Sequence, residues 1–173
     1  MREPAPSYLF DTVTLSNFAL AGHFELLIAR YGRRAMITPE VLDEVTDGVV
    51  AGYYALSEIE KAANEGRIGR TTPLPAPARQ TYRELLRILA PGEASCIAHA
   101  AVLNGVVVTD DRTARQCCSE RSISVTGTIG ILTACCSDGT LSPEDGDTLL
   151  HDMIEAGYYS PVANISDLIY RET

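Results

Sequence analysis

With 173 residues, 46% of them hydrophobic and 21% charged, and a mean hydropathy of +0.03, the chain has the make-up of one folded domain, which excludes disorder, collagen-like repeats and a coiled coil. No apolar run approaches the roughly 18 residues of a membrane span, and Met1-Arg2-Glu3-Pro4-Ala5-Pro6-Ser7 leads into three apolar residues before Asp11, so no secretory signal is read and a cytoplasmic location without membrane attachment is expected. The net charge of −9, from 23 acids and 14 bases, repels polyanions unless local bases or bound cations offset it, which excludes a general nucleic-acid coat protein.

Ser7-Tyr8-Leu9-Phe10-Asp11 reads as a first strand presenting an acid at its carboxyl end. Leu15, Phe18, Ala19, Leu26, Leu27 and Ile28 fit two short helices with a break near Ala21-Gly22-His23, the second ended by Tyr31-Gly32. Ala35 to Thr38 is a second strand. Thr38-Pro39-Glu40 then opens a helix, with Thr38 as N-cap, proline at the first helical position and an acid at the positive end of the dipole. From Val49 to Ala63 the pattern is helical despite Gly52, and Asn64-Glu65-Gly66 stops it. The three prolines between Thr71 and Ala78 mark a surface loop. Tyr82, Leu85, Leu86 and Leu89 predict a helix ended by Ala90-Pro91-Gly92, and a second starts at Glu93 and runs to Asn104-Gly105. Val106-Val107-Val108-Thr109 is the clearest strand and ends in Asp110-Asp111. A short helix carrying Ala114, Cys117 and Cys118, a strand at Ile123-Ser124-Val125 and a helix from Thr128 to Cys136 follow; the tail offers a helix from Pro143 to Ala156 and a weaker segment from Val162 to Tyr170. Strands separated by helices imply a parallel sheet covered on both faces, a three-layer α/β/α domain with right-handed crossovers.

In such sheets the ligand crevice lies outside the carboxyl ends of the strands, where strand order reverses. Asp11 and the Asp110-Asp111 pair stand at two such ends; each could also simply cap the following helix. On the helix from Pro39, Glu44 lies at the edge of the buried stripe of Val41, Leu42, Val45 and Val49, while Asp43 and Asp47 point away. Glu93 repeats the arrangement in the first turn of its helix, beside Ala94, Ile97, Ala98 and Ala101. Lys61 is the one lysine, so no Walker-type Gly-Lys-Ser/Thr exists and a phospho-acceptor receiver lacks its late lysine; no glycine-rich dinucleotide fingerprint follows either acid. Cys96, Cys117, Cys118, Cys135 and Cys136 are odd in number and lack zinc-knuckle spacing, so they read as buried reduced thiols. His23, His99 and His151 read as structural or surface residues, with His99 on the polar side of its helix.

Taken in order, Asp11-Thr12 after an apolar strand, Ile37-Thr38-Pro39-Glu40-Val41-Leu42-Asp43-Glu44-Val45, Pro91-Gly92-Glu93-Ala94 and Val107-Val108-Thr109-Asp110-Asp111-Arg112 resemble a PIN domain. Val125-Thr126-Gly127-Thr128-Ile129-Gly130-Ile131-Leu132 and Gly157-Tyr158-Tyr159-Ser160 are similar, more narrowly, to a VapC-like branch of bacterial and archaeal PIN proteins, and the resemblance runs from Tyr8 to Leu168. It implies one PIN-like domain over residues 1–173, with a core at about 7–138 and a C-terminal helical extension at about 141–173. It further implies a ribonuclease in which Asp11, Glu44, Glu93 and Asp111 gather around Mg²⁺ or Mn²⁺, with Asp110 a further metal ligand and the family's Thr-x-Asp falling on Thr109 and Asp111. Val13 stands where a small hydroxyl residue often follows, and Glu93 replaces the more usual aspartate. Such hard cations take oxygen ligands and keep waters, and they can activate a water for in-line attack on phosphorus without a histidine base.

Arg112 and Arg115, one turn apart after the acidic pair, can supply phosphate contacts for an RNA substrate; Arg30, Arg33 and Arg34 cluster elsewhere and read as surface ion-pair partners. The expected activity is a metal-dependent endoribonuclease, the toxin of a toxin–antitoxin pair, with an antitoxin protein as partner and a homodimer left open. Two rivals stand beside it: a catalytically weak PIN-like binding module that regulates through protein contacts, and a Rossmann-like small-molecule enzyme.

Overall fold

The computed structural model describes residues 5–170; the terminal residues of the expected domain, 1–4 and 171–173, lie outside them. Five parallel strands, β1 (Tyr8–Phe10), β2 (Ala35–Ile37), β3 (Gly69–Arg70), β4 (Val106–Val108) and β5 (Ser124–Thr126), form one sheet in the order β3-β2-β1-β4-β5. The chain therefore builds outward from β1 through β2 to β3, then returns to the other side of β1 for β4 and β5. The reversal falls between β1 and β4, whose register pairs Tyr8 with Val106 and Phe10 with Val108, and both strands end in acid.

The helices are α1 (Thr12–Leu20), α2 (Phe24–Tyr31), α3 (Pro39–Val50), α4 (Ser57–Asn64), α5 (Ala76–Leu85), α6 (Pro91–Leu103), α7 (Arg112–Glu120), α8 (Thr128–Ser137), α9 (Pro143–Glu155) and α10 (Ser166–Ile169). They flank the sheet in the expected three-layer α/β/α architecture. Parallel strands this short are buried on both faces, which is why Leu9, Phe10, Val107 and Val108 are sealed whichever way they point. All five cysteines are free and buried, Cys96 lying under β1 with its thiol on the Phe10 carbonyl at 3.4 Å.

Several elements depart from the sequence expectation. The helix expected from Val49 to Ala63 is broken: α3 stops at Val50, Gly52 takes φ +105°, and a 3₁₀ turn at Tyr54–Leu56 leads into α4. A left-handed glycine cannot continue a helix, so the apolar periodicity spans two elements. The proline-rich loop ends earlier than expected, at Ala76, and α6 starts at Pro91 rather than Glu93. His99 is buried, not on a polar side: its ring nitrogens lie 2.9 Å from the Ser95 carbonyl and 3.0 Å from that of Thr72. The loop before α5 covers the face that an isolated α6 would leave wet. Ala101, expected inward, is exposed instead.

The C-terminal helices pack onto α8 and α1. The Asp147 carboxylate accepts from Ser166 N at 2.9 Å and Ser166 Oγ at 2.6 Å, and His23 meets Asp152 at 2.7 Å. This docking brings Gly157-Tyr158-Tyr159 to the carboxyl edge of the sheet.

Candidate functional site

Asp11 leaves β1 with its N–H bonded to the Val108 carbonyl at 3.0 Å, which sets its side chain beside the end of β4. It is the N-cap of α1: Oδ1 accepts from Thr14 N at 2.7 Å, and Oδ2 accepts from Thr109 Oγ1 at 2.5 Å. The carboxyl is 2% exposed. Burial pushes its pKa up to about 6, against the two hydrogen bonds and with a further push from the charge of Asp110.

Asp111 caps α7 in the same manner, Oδ1 accepting from Ala114 N at 2.7 Å, while its own N–H donates to Thr109 Oγ1 at 3.1 Å. Thr109 thus ties the two strand-end acids together. The capping reading and the site reading coexist here, because a carboxylate offers about four lone-pair positions and a cap uses one.

Asp110 does different work. Its carboxylate accepts from Thr128 N at 2.9 Å, Thr128 Oγ1 at 2.5 Å and Asn17 Nδ2 at 3.3 Å, knitting the end of β4 to α8 and α1. Gly127 makes room for it, since a Cβ there would collide with Asp110 Oδ1. With both oxygens so engaged, Asp110 is a structural partner of α8 that still borders the cleft.

Glu44 reaches from α3 to the start of α6, where it accepts from Gly92 N at 2.8 Å and from the Thr12 hydroxyl. Gly92 is required for this approach, because a Cβ would strike the carboxylate. Glu93 sits at the third position of α6 and bends back to accept from Ala90 N at 3.2 Å, half of a capping box whose other half Ala90 cannot supply. Its pKa is raised, first by burial and then by the charges of Asp111, Asp11 and Glu44 after the opposing Ala90 hydrogen bond.

Asp11, Glu93, Asp110 and Asp111 line one cleft of ≈ 420 Å³, closed by Asn17 on α1 and by Tyr158 and Tyr159. Glu44 stands behind its wall, within electrostatic reach of Glu93. As the side chains stand, no three His, Cys, Asp or Glu groups among the described residues come close enough to hold a metal ion. The donor set nevertheless fits a hard divalent cation in kind. It is all oxygen, and burial, with a smaller push from neighbouring acids, raises Asp11 and Glu93, a cost of carrying charge that a cation would relieve. Glu44 and Glu93 are held back on backbone N–H groups, which leaves an open site of the sort that suits a cation keeping several waters.

Beside this cleft runs a second, larger groove of ≈ 690 Å³ lined by Arg112, Arg115, Ile129 and Gly130, and the two share Asp110, Tyr158 and Tyr159. Arg115 is fixed by donating to the Thr109 carbonyl at 2.9 Å. Neither Arg112 nor Arg115 is in an ion pair among the described residues, whereas Arg30 is bound to Asp138 at 2.6 Å and Arg34 lies over the Tyr8 ring. The residues that sequence reasoning missed are Thr12, Asn17, Thr109 and Thr128 as hydrogen-bond partners, and Gly92 and Gly127 as the spaces their acids occupy. The one local signal was a hydroxyl residue next to each strand-end acid.

The DUF3368 family model, described as a PIN domain, matches residues 7–171, so the chain belongs to the PIN domain family. PIN domains are typically nucleases that act on nucleic acid and usually use divalent metals. Neither a curated protein nor a solved structure matches the chain.

Proposed function

We propose that this PIN-domain chain is a divalent-metal-dependent endoribonuclease whose working residues are Asp11, Glu44, Glu93 and Asp111, with Arg112 and Arg115 holding the RNA. The observation that carries the reading is the meeting of two surfaces: a cleft bearing Asp11, Glu93 and Asp111 at the reversal of strand order, continuous with a groove bearing two arginines that are in no ion pair among the described residues. An acidic cleft alone would repel a phosphodiester, and two arginines alone would bind one without altering it.

Asp11 and Asp111 would hold Mg²⁺ or Mn²⁺ through the lone pairs that their hydrogen bonds leave free, and Glu93 would join them from α6. Glu44 is the positioning residue: it bridges Thr12 and Gly92 and so fixes the start of α6, which carries Glu93. Asp110 keeps the end of β4 registered against α8. The chemistry that such a cation would supply there is an activated water and neutralisation of charge at the phosphate and leaving oxygen. Arg112 and Arg115 anchor a neighbouring phosphate by charge-assisted hydrogen bonds, which orients the strand over the acids. The burial that pushes Asp11 up keeps its carboxylate short of solvation, so it gains more from a cation than an exposed acid would.

One observation favours a second reading. The acids do not converge on a common point as they stand, which is what a PIN-like binding module without activity would retain. The test is cleavage of single-stranded RNA by the purified chain in Mn²⁺ and in chelator, with Asp111→Asn and Asp110→Asn beside the wild type. Activity in Mn²⁺ that disappears in Asp111→Asn supports the enzyme; RNA binding without cleavage by the wild type puts the binding module first. The toxin assignment, with an antitoxin partner in the cytoplasm, rests on the VapC-like motifs. Growth arrest on expression, relieved by the product of the adjacent gene, is its test.

A further inference from the structure

Tyr159 is 94% exposed, an aromatic ring held in water at the lip shared by the acidic cleft and the arginine groove. Single exposed apolar side chains are ordinary; the backbone beneath this one is not loose. Gly157, at φ +107°, ends α9 with the Tyr158 N–H on the Met153 carbonyl at 2.9 Å and its own N–H on that of Ile154 at 3.0 Å, a Schellman turn. Beyond it, Ser160 Oγ donates to the Val162 carbonyl at 2.6 Å and accepts from Val162 N at 3.2 Å. Tyr158 packs against the core beside Thr128, the residue that also holds Asp110. Both flanks of Tyr159 are therefore fixed while its ring has no aromatic neighbour among the described residues.

Resting on the nuclease reading above, we infer that Tyr159 is the base-stacking residue of the site: an unpaired nucleobase next to the scissile phosphate lies on its ring while the following phosphates run along Arg112 and Arg115. A base has a π-face whatever its sequence, so such a platform holds a strand without reading it. A chain of net charge −9 with two arginines in its groove has little electrostatic affinity for RNA, and stacking supplies a component that salt does not screen. The platform also selects for unpaired over paired bases, because a stacked helix has no free face to give.

The chain has no tryptophan, so Tyr159→Trp installs a single, selectively excitable indole at the proposed platform. Titrated in chelator with a short single-stranded RNA, this variant shows saturable quenching, and an oligonucleotide with one abasic position quenches less. Tyr159→Ala binds the same RNA about tenfold more weakly with an unchanged salt dependence, and Tyr159→Phe restores the affinity, since the ring and not the hydroxyl acts. Absence of quenching by an RNA that binds, or wild-type affinity in Tyr159→Ala, overturns the stacking role while Mn²⁺-dependent cleavage leaves the nuclease reading in place. Quenching by RNA that the wild type never cleaves has the opposite effect: the platform stands and the enzyme falls.

Discussion

Replacing Asp11 with asparagine is expected to stabilise the metal-free protein at neutral pH and destabilise it in acid. The folded carboxyl has a pKa of about 6 against 3.8 for the free group, because burial disfavours its charge. A raised carboxyl pKa means that the folded state binds the proton more tightly than the unfolded chain. The penalty is therefore absent below about pH 4, grows as pH rises, and is complete above about pH 6. Two pKa units correspond to about 3 kcal/mol, and with the group almost wholly buried little is lost to solvent screening. Asparagine removes this charge and remains a good N-cap for the Thr14 N–H. It leaves the Thr109 hydroxyl one acceptor short, at about 1 kcal/mol. The net expectation is a gain of about 2 kcal/mol at pH 8 in chelator, and a loss of about 1 kcal/mol at pH 4. Urea unfolding at both pH values reads this directly, and a repeat in Mn²⁺ should raise the midpoint of the wild type but not of the variant. Equal destabilisation at both pH values would show that Asp11 is a cap and a hydrogen-bond acceptor without a charge penalty, and would remove the electrostatic reason for a cation there.

Gly92→Ala places a Cβ against the Glu44 carboxylate; we expect a loss of about 1–3 kcal/mol in urea melts and weaker Mn²⁺ binding by calorimetry, because Glu44 must swing away from α6. His99→Ala leaves the Ser95 and Thr72 carbonyls without their ring partner and is expected to cost about 1–3 kcal/mol, read as a lower thermal midpoint with RNA cleavage per folded molecule unchanged. Thiol titration of the native protein at neutral pH should find all five cysteines unreactive until denaturant is added, since all are buried and burial pushes Cys118 up to about 11 and Cys96 well above its ordinary value. Replacing both Arg112 and Arg115 with alanine should weaken RNA binding and reduce the slope of log affinity against log salt by about 1.4; an unchanged slope would put the strand elsewhere.

The carboxyl ends of β1 and β4 were legible because a short apolar run that stops at an acid announces both the strand and what it presents. Two such strands, Phe10-Asp11 and Val108-Thr109-Asp110, already suggest neighbours at a switch in strand order, and the register bears that out. Glu44 was legible as the acid at the edge of the α3 stripe. β3 was not, because Gly69-Arg70 carries no apolar run and is a strand only by pairing with Met36 and Ile37. The hydrogen bonds from Thr12 to Glu44 and from Thr109 to Asp11 span 32 and 98 residues of sequence, a distance over which periodicity carries no information. The division of labour within Asp110-Asp111 was hidden for the same cause: the partners that claim Asp110, Thr128 and Asn17, come from α8 and α1. Arg112 and Arg115 could be placed on one helical face from spacing alone, yet the groove beside them exists only because the C-terminal helices bring Tyr158 and Tyr159 across.

The most direct test of the account is the chemistry of the cut. A defined single-stranded RNA carrying one deoxynucleotide at the cleavage position, incubated with the wild type in Mn²⁺ and heavy-oxygen water, should still be cleaved, with one solvent oxygen in the product phosphate and no cyclic phosphate, because the proposed nucleophile is a water over Asp11, Glu93 and Asp111. Cleavage that survives chelation, needs the ribose hydroxyl and yields a cyclic phosphate would contradict the assignment of these acids.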